Sequence, residues 1–333
     1  MSKSAVQIGL SAVMVSIQDN EPRVLSVRGA RHDFIEDVAS KAQFSDLDAL
    51  PFGPFDPVSH RTLEIGLRSW VEEQTPLEPG YVEQLYTFGN KGRYAGQKED
   101  GLRVVSVGYL ALVYDDGLQA DDQVFWGKWY DYFPWEDWRL GRPEIIDTVI
   151  APALKKWVDV ANSPSEKEQR DIRAKRCFGL AGLSWDDEQV LKRYELLYEA
   201  HLTEETLRDK NINITDKHQL IPSRSMKYDH RRILATAMTR IRGKIKYRPV
   251  VFELMPDRFT LLELQRAVES IGGQLLHKQN FRRLIENSGL VEETGHVSTR
   301  SGGRPANLFK YREEVLQERL APGVKMSPVK SAS

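Results

Sequence analysis

Cysteine is almost missing from this 333-residue chain. Cys177 stands alone, which excludes an internal disulfide framework and a thiolate-rich zinc site. The seven histidines are scattered, and none forms an i, i+4 pair beside an acid. No apolar run approaches the ~20 residues needed to span a bilayer. The start, Met1-Ser-Lys-Ser, lacks the apolar core and small-residue cleavage site of a signal peptide. These absences predict a soluble protein of a reducing cytoplasm, with no membrane partner.

What is present is ordinary globular composition, 41% apolar and 29% charged, which excludes wholesale disorder and collagen-like repeats. The length suggests two domains, or three small ones. The net charge of -1 hides a split: residues 230–312 hold 16 Lys/Arg against 7 Asp/Glu, while residues 1–229 hold 28 against 38. A basic module attached to an acidic one suggests a polyanion-binding domain carried by something else.

The first third reads as β-rich. Ala5–Ile17 and Arg23–Arg28 are strand-like. After the turn Leu50-Pro-Phe-Gly-Pro-Phe-Asp-Pro57, residues 59–74 turn helical, with Leu63, Leu67, Trp70 and Val71 on one face. Tyr81–Phe88, Val104–Val113 and the aromatic Gln123–Trp135 follow as strand candidates. Residues 144–227 read as a helical insert, with Pro152 kinking a stripe from Ile145 to Val158. Within it, Thr203–Arg224 lacks a period and reads as a linker. The cluster Trp126, Trp129, Tyr130, Tyr132, Phe133, Trp135 and Trp138 reads as core packing of the insert, and Arg170–Arg176 as a helix surface. The expected organisation is a sensor domain over 1–143, the insert and linker over 144–227, a basic module over 228–316 and a disordered tail over 317–333.

The basic module carries the clearest local signals. His230–Ile245 has a helical stripe, and Val250–Leu254 is strand-like. Thr260-Leu-Leu-Glu263 is a capping box, in which threonine and glutamate satisfy each other's free amides. It opens a helix over 261–271, stopped by Gly272-Gly273. A second helix over 278–287 ends at Gly289, a left-handed cap. Its polar face shows Lys278, Gln279, Asn280, Arg282, Arg283 and Glu286. Two short helices joined by a glycine-containing turn form a helix-turn-helix. Arginine can grip guanine with two bonds, and asparagine or glutamine can grip adenine likewise. Leu290–Thr294 and Asn307–Tyr311 can pair as a hairpin whose tip carries Arg300 and Arg304 against phosphates. The order predicts a winged helix that binds double-stranded DNA.

In the acidic module, Arg68-Ser-Trp-Val-Glu72-Glu73 follows a Gly/Pro turn and resembles the Nudix box, G-x5-E-x7-R-E-U-x-E-E-x-G-U. Its glutamates gather divalent metal beside a pyrophosphate. Here Ser69 replaces the glutamate after the arginine, Thr75 the glycine, and His60 and Pro54 fall on the upstream glutamate and glycine. Lost carboxylates predict no catalytic residue and no metal site.

Taken together, the chain resembles the Nudix-related transcriptional regulators of NAD metabolism, the NrtR-like proteins, and within them the NadQ group. The resemblance rests on Glu83-Gln-Leu-Tyr-Thr-Phe-Gly89, Val105-Ser-Val-Gly-Tyr-Leu-Ala-Leu112, Phe259-Thr-Leu-Leu-Glu-Leu-Gln265, Asn280-Phe-Arg-Arg283 and Gly303-Arg-Pro-Ala306. It covers about 1–115 and 228–312, and the insert at about 116–227 departs from it. It implies an N-terminal Nudix-like α/β/α sandwich and a C-terminal winged helix-turn-helix; with the helical insert read from the residues, the expected fold class is α+β. It further implies a homodimer on a palindromic operator, repressing NAD biosynthesis genes, with no required cofactor. The effector would be an adenine nucleotide (NAD, ATP or ADP-ribose), and the expected cleft residues are Phe88 for stacking, Arg93 and Arg103 for phosphates, and Arg68, Glu72 and Glu73 on the old catalytic helix. The rival expectation is an active Nudix hydrolase of a nucleoside diphosphate derivative.

Overall fold

The computed structural model describes residues 6–29, 46–77, 80–90, 103–115, 117, 123–212, 220–298 and 305–312. Six strands form one mixed sheet: β1 (Val6–Gln18), β2 (Glu21–Val27), β3 (Phe52–Pro54), β4 (Tyr81–Phe88), β5 (Arg103–Leu112) and β6 (Val124–Lys128). The spatial order is β4-β5-β1-β2-β6, and β3 pairs with β1. β1 runs parallel to β5, with Val6 opposite Arg103 and Val15 opposite Leu112. The β1–β2 hairpin turns through Asp19 and Asn20, both at positive φ, residue types that tolerate that region.

Alternation along the strands sends side chains to two faces. Leu10, Ala12, Met14, Val107, Tyr109 and Ala111 pack under helix α1 (Leu63–Gln74) through its Leu67 and Val71. Val13, Val15, Val24, Leu110 and Leu112 face the other way, with Ile233, Leu234, Ala237 and Met238 of a long helix over His230–Tyr247. That helix comes so close that a Cβ on Gly108 would stand 2.8 Å from Ile233 Cγ2. The helix expected in the basic module is therefore the second helical layer of the sandwich. Burying its large apolar side chains contributes about 1.5–3 kcal/mol each.

Between β6 and that helix lies the insert: α2 (Trp129–Tyr132), α3 (Ala151–Asp159), α4 (Pro164–Phe178), α5 (Val190–Glu199) and α6 (Glu204–Asp209), with His230–Tyr247 as α7. Three sequence expectations change here. The aromatic strand ends at Lys128, because Trp129, Tyr130, Tyr132, Phe133 and Trp135 are all buried, a pattern that alternation cannot produce. These five form the core under the insert, as the sequence suggested, whereas Trp126 of the same cluster packs on the α1 face instead. Pro152 stands in the first turn of α3, after a π-helical turn over Ile146–Ile150 whose wider ladder ends at Ala151 N–H to Ile146 O. The described residues of the 203–224 stretch are no free linker. Thr203 caps α6, and buried Glu205 accepts from Arg231 (3.2 Å) and from the Met226 amide (3.0 Å). Arg170, Arg173 and Lys175 pair with Glu166, Glu199 and Asp171, a helix surface as read from sequence.

The C-terminal head follows: a 3-10 turn over Val250–Leu254, α8 (Leu261–Gly272), α9 (Lys278–Ser288) and the hairpin β7 (Val291–Ser298) with β8 (Ala306–Tyr311). Val250–Leu254 was expected as a strand; buried Val251, Phe252 and Leu254 instead wind it into a turn. No helix among the described residues is long and apolar enough to cross a membrane.

Candidate functional site

The head is built by local chemistry. The capping box forms as expected: the Thr260 amide donates to Glu263 Oε2 at 2.7 Å, and the Glu263 amide to Thr260 Oγ1 at 3.2 Å. A second polar clamp fixes the turn between the helices. Buried Gln265 donates from Nε2 to Leu276 O (3.0 Å) and to Glu269 Oε1 (2.8 Å), and the Leu276 amide donates to the same Glu269 oxygen (2.8 Å). The start of α9 is thereby tied to α8. Gly289 takes the left-handed cap. Phe259 and Phe309 exchange backbone hydrogen bonds of 3.0 and 2.8 Å, an isolated antiparallel bridge that ties the lead-in of α8 to the hairpin. Phe252 stacks on Tyr311 at 4.4 Å between centroids.

α9 buries Phe281 and Ile285. At 100° per residue its outward pole falls on Gln279, Arg283 and Glu286, with Lys278, Asn280 and Arg282 beside them, and all six are exposed. Arg282 Nε donates to Glu286 Oε1 at 3.1 Å, whereas Arg283 has no ion pair or hydrogen bond among the described residues. Asn287 and His277 are exposed on the same helix and its lead-in. Both were missed from sequence, although the helical period already placed Asn287 beside Arg283. A cavity of about 650 Å³ lies between the start of α8, α9 and β8, lined by Thr260, Leu262, Gln265, Lys278, Arg282 and Asn307 among others. Arg300 and Arg304 lie outside the described residues, as does the tail from 317.

On the sheet, the expected cleft residues do not all meet. Glu72 and Glu73 are exposed on α1. Arg68 donates from Nε and Nη2 to Glu64 Oε1, one turn back, at 3.1 and 3.0 Å. The positions that depart from the Nudix box are occupied by internal bonds: Ser69 Oγ donates to Ile65 O (3.1 Å), Thr75 Oγ1 to Val71 O (2.8 Å), and His60 Nδ1 accepts from the Asp56 amide (3.1 Å). Among the described residues, no three His, Cys, Asp or Glu side chains converge as a metal ion requires. Phe88 is a correction. Expected to stack on adenine, it is 2% exposed in the core shared with α7, on the face opposite α1, under the Arg232 guanidinium at 5.1 Å. Strand parity puts it there, and a base has no open ring face to meet. Arg103 is exposed and donates to Gly89 O at 2.7 Å. Arg93 lies outside the described residues.

Residues 251–311 match the family model of the NrtR DNA-binding winged helix domain. The C-terminal head is similar to that domain. The ADPR responsive transcriptional repressor NtrR of Acinetobacter baylyi is 43% identical over 84 residues, 25% of this chain and 33% of that repressor. The match thus spans a third of the relative's length. Among solved structures, Shewanella oneidensis NrtR complexed with a 27mer DNA aligns with a TM-score of 0.55 at 21% identity, covering 96% of this chain and 99% of that one. A MutT/nudix family protein from Enterococcus faecalis aligns at 0.51 with 16% identity, covering 94% and 88%. At these identities the likeness is one of fold alone, and it runs through both the sandwich and the C-terminal head.

Proposed function

We propose that this chain is a DNA-binding transcriptional repressor of NAD biosynthesis genes, working as a homodimer on a palindromic operator and controlled by an adenine nucleotide bound to a Nudix domain that does not cut it. The observation that carries the reading is the outward pole of α9, where Gln279, Arg283 and their neighbours are exposed on a helix whose inner face and lead-in turn are locked. Such a helix can enter a major groove without rearranging the head. The cavity at the start of α8, rimmed by Lys278 and Arg282, suits a backbone phosphate flanking that groove.

The ADPR responsive relative supports ADP-ribose as the effector, with NAD and ATP as related candidates. The effector face lies on the α1 side, where Glu72 and Glu73 are exposed and Arg68 can exchange Glu64 for a phosphate; Arg103 is a further phosphate contact. A ligand changes DNA affinity only by binding the competent and incompetent forms unequally. The test is a DNA-binding titration on the upstream region of an NAD-synthesis gene and on random duplex, with and without ADP-ribose, NAD or ATP. Equal affinity for both duplexes defeats the repressor reading. Turnover of ADP-ribose with Mg²⁺ at ordinary enzyme rates supports the hydrolase instead.

A further inference from the structure

The carboxyl end of α8 is held by the body of the molecule at three backbone oxygens. Tyr130 Oη donates to Ser270 O at 2.6 Å, Arg242 Nε to Ile271 O at 3.0 Å, and the Trp138 amide to Gly273 O at 2.7 Å. The donors come from the segment after β6 and from α7, so they belong to the body and not to the head. Carbonyls at a helix C-terminus have no partner within their own helix, and here the body supplies one to Ser270, Ile271 and Gly273.

One buried carboxylate holds the Arg242 donor in place. Glu136 receives Arg242 Nη1 at 2.7 Å on Oε2, and Arg193 of α5 on both oxygens, from Nε at 2.6 Å and Nη2 at 2.9 Å. All three side chains are essentially without solvent exposure. Arg193 continues to Cys177 O and Asp186 O, and Arg242 Nη2 to Glu136 O at 3.1 Å. The seat is tight: Gly273 stands at φ +69°, and a Cβ there would lie 2.5 Å from Glu136 O.

We infer that Glu136 is a positioning residue for DNA reading: with Arg193 and Arg242 it clamps the C-terminal carbonyls of α8, so that the insert and the sandwich fix the direction in which α9 points. Its role in DNA reading rests on the function proposed above, but the clamp is measurable without DNA. A buried network of charge-assisted bonds tolerates few alternative arrangements, so the head follows the body as one unit.

The experiment is a distance distribution by pulsed electron resonance in the full chain. Cys177 is replaced by Ser, and spin labels are placed at Val160→Cys on the insert and Arg266→Cys on α8, both exposed sites. The expected result is one narrow distribution, lost to a broad or shifted one in Glu136→Gln and Gly273→Ala. Tyr130→Phe removes a single bond to Ser270 O, leaves the charged triad intact and should broaden the distribution less. If Glu136→Gln fails to fold, Gly273→Ala and Tyr130→Phe decide. Variants that keep the parent's narrow distribution overturn the clamp, as does a broad distribution in the parent. A chain that shows the clamp but no preference among duplexes defeats the DNA reading alone.

Discussion

Arg283 and Lys278 stand on one helix but should fail differently when removed. Arg283 lies at the outward pole of α9, exposed and unpaired among the described residues, so Arg283→Ala removes no contact of the fold. Exposed substitutions of that kind change stability by within about 0.5 kcal/mol. A guanidinium bonded twice to guanine is worth about 1–3 kcal/mol of discrimination, or roughly 5- to 150-fold in specific affinity. Affinity for random duplex should barely move. Lys278 borders the cavity at the start of α8 and carries a point charge suited to phosphate. Lys278→Ala should therefore weaken all duplexes alike and reduce the salt slope by about 0.9. Arg282 is intermediate, because its surface pair with Glu286 is worth only about 0.3–0.5 kcal/mol and can be exchanged for DNA. The assay is fluorescence anisotropy across a salt series, using an operator selected by the parent protein from a random pool and one random control. Arg283→Ala with the parent's ratio of specific to random affinity would refute the orientation assigned to α9.

Phe281→Ala should destabilise the head by about 3–5 kcal/mol, since a buried ring leaves a cavity, and its protection in amide exchange should fall while that of β1 and β5 persists. Glu269→Ala removes the acceptor shared by Gln265 and the Leu276 amide; specific DNA affinity should drop although the residue cannot reach DNA, and retained affinity would show the clamp to be dispensable. Burial drives His230 down to about 3 and Asp209 up to about 7, and the two act oppositely on stability. Below its ordinary value of 6.5 the unfolded chain protonates at His230 and the folded one does not, so stability falls with falling pH. Asp209 stays protonated in the fold, so its contribution is present below 3.8 and is lost as pH rises through about 7. Between about pH 4 and 6.5 the slopes oppose one another at up to about 1.4 kcal/mol per pH unit each. His230→Asn should leave a falling slope in denaturant titrations and Asp209→Asn a rising one; parallel profiles would contradict the burial of either group.

What was legible in the sequence was local. The Thr260–Glu263 box, the stops at Gly273 and Gly289 and the bounds of β4 are set within a few residues, and each formed where it was read. The apolar period of Leu63, Leu67, Trp70 and Val71 located α1 and its end at Gln74, although the helix starts at Leu63 after the Thr62 cap and not at residue 59. Questions of facing were not legible. Phe88 was placed among nucleotide contacts, but strand register sends it to the face opposite Glu72 and Glu73. Glu136, Arg193 and Arg242 drew no attention, because nothing in a helix or strand period joins residues 57 and 106 positions apart. Glu205 likewise looked like linker until its buried partner Arg231 was in view.

The charge split must also be reconsidered. Much of the excess of 16 over 7 in residues 230–312 comes from α7, which is the second layer of the sandwich. There Arg231 pairs with Glu205, Arg232 with Glu195 and Asp229, Arg240 and Lys244 with Glu83, Arg242 with Glu136, and Lys246 with Asp187 and Glu188. Almost all of those acids lie in the body before α7. Opposite charge in the two halves of the sequence is therefore, in good part, the body and its own helix attracting one another. Without α7, residues 248–312 hold 10 Lys/Arg against 7 Asp/Glu, which is only slightly basic. The case for DNA then rests on where the remaining charge stands. Arg283 and Lys278 are exposed on one helix, whereas the acids Glu263 and Glu269 are taken up in the cap and the turn clamp. A head of small net charge gains less from counterion release than a uniformly basic one, so selectivity must come from the groove contacts of α9, and those depend on the direction that the buried seat of α8 gives to it.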